Sequence, residues 1–149
     1  MSLTAIAPIE RTVHATNNWL EELKEELRLQ DRQQAYHLLR VVLHTLRDRL
    51  TVAEAVDLGA QLPMLIRGLY YEGWTPRGKP IKERKKEDFL GHITEALRGS
   101  PNIYPEGVVW GVFRVLERHV SAGEIGDVKQ ILPADIRTLW PAVAPGRKP

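Results

Sequence analysis

The sequence predicts an all-α protein of about eight helices, arranged as a tandem duplication of a four-helix unit. Three observations lead there. The chain aligns with itself without a gap at an offset of 70 residues. Its longer segments repeat apolar residues with the 3.6-residue period of a helix. No segment alternates apolar and polar residues over a strand's length, so no sheet is expected.

The self-match is dense. Leu46, Glu54, Asp57, Leu62, Pro63, Ile66, Arg67 and Leu69 fall on Leu116, Glu124, Asp127, Leu132, Pro133, Ile136, Arg137 and Leu139. Upstream, Trp19, Leu20, Leu23 and Leu27 fall on Phe89, Leu90, Ile93 and Leu97. Keeping residue class at almost every apolar position means that both halves solve one packing problem.

Four helices are expected in the first half. Asn17 or Asn18 is placed to cap the first, whose stripe is Trp19, Leu20, Leu23 and Leu27. Residues 1–12 show no periodicity and read as a disordered N-terminus. Asp31 caps the second helix, with Gln34 three residues on. Its stripe of Ala35, Leu38, Leu39, Val42, Leu43, Leu46 and Leu50 is the strongest periodic signal in the chain. Thr51 and Glu54 form a capping box, in which the hydroxyl takes the Glu54 amide and the carboxylate returns to the Thr51 amide. Pro63 has no N–H to donate, so it ends the short third helix and starts a fourth running to about Tyr71.

The second half repeats this pattern. A helix spans about Glu87 to Arg98, and Gly99 stops it. The next starts near Pro105, and Gly107 and Gly111 on it permit close helix contact. Ser121 and Glu124 form the second capping box, and Pro133 starts a last helix ending near Trp140. In order, the chain reads as a first repeat over 13–71, a basic linker over 72–86, a second repeat over 87–140 and a disordered tail over 141–149. Leu38, Leu39, Val42, Leu46, Val108, Val112, Phe113 and Leu116 are the expected centre of one compact domain.

Composition narrows the function. The 149 residues carry a net charge of only +2, too little for a protein built mainly to coat nucleic acid. Zero cysteines exclude a disulfide scaffold, a thiolate zinc site and a Cys nucleophile, and they fit a reducing compartment. No apolar run nears the ~20 residues that span a bilayer. The N-terminus lacks the basic and apolar regions of a signal peptide. A cytoplasmic protein with no membrane association is expected.

The run from Leu46 to Pro63, LRDRLTVAEAVDLGAQLP, is followed by Leu69, Tyr70, Tyr71, Glu72, Gly73 and Trp74. Together with its echo from Val120 to Pro133, it resembles the bacterial family catalogued as domain of unknown function 2267. The resemblance covers roughly Trp19 to Trp140 and implies an all-helical domain. It implies no activity, substrate or catalytic residue.

Candidate chemistry is sparse. Glu54, Asp57 and Arg67 recur as Glu124, Asp127 and Arg137, each set a carboxylate pair with a cation. Such a set can bind a metal or move a proton. The structural reading outweighs this: Glu54 completes a cap, Asp57 suits the helix dipole, and Arg67 is placed to pair with Asp57 across the corner. One active site rarely needs two copies, whereas a repeated corner needs its bracket twice. The histidines His14, His37, His44, His92 and His119 show no zinc-binding spacing. No catalytic, cofactor-binding or metal-ligating residue is therefore expected, and no cofactor.

The best binding candidate is the linker. Arg77, Lys79, Lys82, Arg84, Lys85 and Lys86 stand against the single acid Glu83 between Pro76 and Lys86. Trp74 and Tyr71 lie beside them as stacking groups. The expected function is a non-enzymatic interaction or regulatory module that binds another protein, as a monomer or homodimer. The alternatives are nucleic-acid binding through the linker and small-molecule sensing between the repeats.

Overall fold

A computed structural model describes residues 5–100 and 103–141. Residues 1–4, 101–102 and 142–149 lie outside it, and with them almost all of the expected C-terminal tail. Among the described residues every regular element is a helix. The first half contains α1 (Ala7–Leu27), α2 (Arg32–Arg47), α3 (Val52–Ala60) and α4 (Met64–Tyr71). The second contains α5 (Lys86–Ala96), α6 (Pro105–His119), α7 (Ala122–Ile131) and α8 (Ala134–Arg137). No helix among these residues is long and apolar enough to cross a membrane.

α1 begins ten residues before the expected caps Asn17 and Asn18, so residues 7–12 are helix rather than a structureless end. Pro8 lies in its first turn, where a missing N–H costs nothing. Thr12 is 7% exposed, and its Oγ1 accepts the Leu65 amide at 3.1 Å. The buried stripe of α1 thus opens on a threonine, which a search for apolar periodicity passes over. The helix ends where Arg28 turns left-handed, with φ 55°, and the Leu29 amide bonds back to the Lys24 carbonyl at 2.9 Å.

Caps at the other helices follow the sequence closely. Asp31 accepts the Gln34 amide at 2.9 Å. Thr51 and Ser121 accept the amides of Glu54 and Glu124 at 3.1 and 3.2 Å. Pro63 and Pro133 sit at the N-caps of α4 and α8, one residue before the expected first helical position. α8 is a single turn, shorter than expected. α5 has no side-chain cap of its own, but the Lys86 amide donates to Asp135 Oδ2 of α8 at 2.7 Å. Replacing Thr51 by Ala is expected to lower the stability read from urea unfolding by about 1 kcal/mol, and Ser121→Ala, more exposed, by less.

One apolar cluster runs through both halves. α2 and α6 form its axis: α2 touches α1, α4, α5 and α6, and α6 touches α1, α2, α5 and α7. All eight residues expected at the centre are buried. Phe113 stacks on Trp140 with ring centroids 3.9 Å apart and meets Phe89 edge-on at 6.4 Å. Gly111 lets α1 close on α6, because a Cβ there would lie 2.5 Å from Leu27 Cδ2. Gly107 plays no part in that approach; its neighbour is the Tyr104 ring. Outside the core, Arg114 and Arg118 of α6 pair with Glu22 and Glu26 of α1, and His119 joins Glu22 at 3.0 Å.

Candidate functional site at the meeting of the two corners

Each half folds a corner from a cap, a short helix, a Leu-Pro break and the start of the next helix. α3 of one corner packs on α7 of the other. This brings Glu54 and Glu124, each in the first turn of its helix, to face one another. Carboxylate oxygens of Glu54, Asp57 and Glu124 lie within 4.8 Å of each other. The Oε2 atoms of Glu54 and Glu124 are shut off from solvent and receive no hydrogen bond from a donor. Asp57 and Asp127 stand on the exposed rim.

This arrangement revises the capping boxes. The outward leg, hydroxyl to amide, is present in both. The return leg is not: Glu54 and Glu124 turn to each other, and the Ser121 amide donates instead to Gln61 Oε1 at 3.1 Å.

Arg67 and Arg137 do not supply the counter-charge expected of them. Arg67 donates from Nε to the Gly59 carbonyl and from Nη2 to the Leu62 carbonyl, both at 2.9 Å. Arg137 makes the same two bonds to Lys129 and Leu132, at 2.8 and 3.0 Å. The Gly59 carbonyl also accepts the Leu62 amide at 3.1 Å, and the guanidinium fork joins it to the Leu62 carbonyl just past the end of α3. Removal from water, then the neighbouring Glu54 carboxylate, with Asp57 and Asp127 adding to it, pushes the Glu124 carboxyl up to about 8.

The linker is less loose than its composition implies. The Ile81 amide donates to the Asp48 carbonyl at 2.8 Å, and Glu83 binds Arg49 and His92. The bond to His92, with Arg49 behind it, holds Glu83 below the usual carboxylate range. Lys86 reaches Glu106 at 4.0 Å. Arg77, Lys79, Lys82, Arg84 and Lys85 have no carboxylate within ion-pair distance among the described residues. The two aromatics turn inward. Tyr71 lies over Gly59, where a Cβ would meet its hydroxyl, and Trp74 packs against Tyr71 with ring centroids 5.5 Å apart. Both are half-buried, so neither presents an open face beside the basic run.

Two arginines that sequence reasoning missed anchor this region. Arg47, 5% exposed, donates from Nη1 to the carbonyls of Tyr70 and Glu72 at 2.5 and 2.8 Å. Arg49, 4% exposed, donates to the Thr45 carbonyl at 2.9 Å and pairs with Glu83. The sequence does carry a signal, since Arg47 follows directly on the buried Leu46 and Arg49 precedes the buried Leu50. His44 is likewise committed, with Nε2 2.7 Å from the Leu69 carbonyl; burial holds it below its ordinary pKa, so it donates as a neutral ring.

An open groove of about 470 Å³ runs between the halves past Asn18, Trp19, Gln61, Pro63 and His119. Its polar groups are largely engaged: His119 with Glu22, Gln61 with the Ser121 amide. Beside it lies an exposed apolar surface. Thr12 holds the Leu65 amide, which ties α1 to the start of α4, and Ile9 and Val13 of α1 and Met64 and Leu65 of α4 are exposed. These four side chains are 40–50% exposed. The outer face of α3 adds Val52 and Val56.

The fold and its paired corners define an all-helical protein built on one apolar core among the described residues. The chain belongs to the family described as "Uncharacterized conserved protein (DUF2267)", whose family model matches residues 16–139. No curated protein matches it.

Proposed function

We propose that this chain is a non-enzymatic docking module that binds another protein through the apolar surface of α1 and the first corner. The observation that supports this most is the exposure of Ile9, Val13, Met64 and Leu65, large apolar side chains on two segments that the Thr12–Leu65 bond ties together. Apolar exposure of this kind marks interaction surfaces, and an unbranched Met adapts to a partner's contours. The commitment of His44, His92 and His119 to structural bonds fits a non-enzymatic role. We take the two halves as copies of one unit, a view supported by corner bonds that recur 70 residues apart. A chain free of cysteine suits action in a reducing bacterial cytoplasm.

A second reading has one observation in its favour: five linker cations without acidic partners, which suit a polyanion such as nucleic acid. Salt separates the two. Phosphate contacts make binding fall steeply with ionic strength, and an apolar protein interface does not.

Native mass spectrometry of the protein purified gently from its own cells tests the proposal. A stoichiometric protein partner is expected, retained at high salt and lost in a Met64→Glu, Leu65→Glu double variant that folds normally. Nucleic acid that dissociates with salt, or a small molecule bound in the groove, would replace it.

A further inference from the structure

We propose that Glu54 and Glu124 share a single proton, and that this acid–carboxylate hydrogen bond is a latch holding α3 against α7. The case starts from geometry. Two carboxylates meet at a helix contact with their Oε2 atoms out of water and without a donor. Two ionised groups cannot stay so placed unless something positive comes between them.

The surrounding charges do not meet that need. On α3 the near neighbour is Asp57, and on α7 it is Asp127; both are acids. From α4, Arg67 is held by the Gly59 and Leu62 carbonyls, Tyr70 donates to the Ala55 carbonyl, and Tyr71 lies over Gly59. Arg137 of α8 is held by the Lys129 and Leu132 carbonyls. Lys129 of α7 pairs with Glu117 of α6 at 3.3 Å. The helix N-termini supply only partial positive charge. A proton supplies what is missing: one carboxyl donates, the other accepts, and the two orphan oxygens satisfy each other.

The elevated titration of Glu124 agrees with this placement. The sign follows. A carboxyl held protonated in the fold but ionised when unfolded gives most stability in acid, below the ordinary carboxylate pKa. That stability is lost as pH rises to about 8 and does not change further above it. When the proton leaves for solvent, two like charges face each other across the contact, and α3 and α7 separate.

Carboxyl ¹³C NMR titration of the full chain tests this directly. One carboxyl of the Glu54–Glu124 pair is expected to titrate at least about two pH units above the ordinary value of ~4.3. In Glu124→Gln, whose amide still donates, that raised titration is expected to disappear. The melting temperature of the native sequence is expected to fall by roughly 5–10 °C between about pH 5 and pH 9, and that of Glu124→Gln to fall much less. Glu54→Gln serves equally if Glu124→Gln does not fold. Ordinary titration of both carboxyls in the native chain would overturn the proposal. So would millimolar calcium or magnesium that raises the melting temperature of the native chain near pH 9 but not of Glu124→Gln, for then a cation, not a proton, closes the contact.

Discussion

Replacing Phe113 by alanine is expected to lower the stability of the whole molecule by about 3–5 kcal/mol and its melting temperature by roughly 10 °C. Phe113 is fully buried in α6, stacked on Trp140 and touching Phe89, so the lost ring leaves a cavity between two aromatic neighbours. The site has little to collapse with, because Trp140 also packs under Lys129 and Phe89 under Arg49. The more telling readout is where the damage appears. α6 packs on α1 and α2 as well as on α5 and α7, and one apolar cluster spans both halves. Calorimetry is expected to show a single transition, and amide exchange to quicken in α2 as much as in α6. Faster exchange confined to α5–α8 would mean that the halves unfold as separate units.

Arg47→Met is expected to cost about 3 kcal/mol in urea unfolding, although it keeps much of the apolar stem. It strips the Tyr70 and Glu72 carbonyls of a donor and leaves the Asp48 carboxylate, 3.1 Å from Nε, without its partner. Amide exchange at Gly73 and Trp74 should rise with it, since this arginine ties the exit of α4 to the end of α2. Arg47→Lys is expected to recover little, because an ammonium cannot reproduce the fork. Arg40 supplies the control. Its pair with Glu72 is 37% and 60% exposed, and Arg40→Met is expected to cost no more than about 0.5 kcal/mol.

Much of the fold is legible in the sequence because it rests on local chemistry. Asp31, Thr51 and Ser121 cap the helices they precede, and the stripes of α2 and α6 point inward as their period requires. The start of α1 is hidden because a threonine, not an aliphatic residue, faces the core there. Arg67 misleads for a related reason. Sequence spacing offers it an acid one corner away, but the fold sets the Gly59 and Leu62 carbonyls within reach of both arms of its fork. The contact of Glu54 with Glu124 is illegible for a stronger reason. Each glutamate looks complete as a capping residue within its own half, and only the packing of α3 on α7 sets two such residues face to face. The linker reads as basic from composition, yet its inward-turned Trp74 and its anchor at Asp48 depend on tertiary contacts that no local pattern encodes.

The Arg67 and Arg137 corners can be treated as a portable part. Thr or Ser, Glu three on, Asp three further, then Leu-Pro and Ile-Arg recur with identical spacing in Thr51–Arg67 and Ser121–Arg137. Within that length the cap hydroxyl and the guanidinium satisfy backbone groups at both ends of the short helix. Only the glutamate carboxyl looks outward for a mate. A protein engineer could therefore graft one such corner onto the end of an unrelated helical hairpin, with glutamine in place of the glutamate. Grafting two onto facing hairpins, glutamates intact, would give an assembly whose closure depends on acidity.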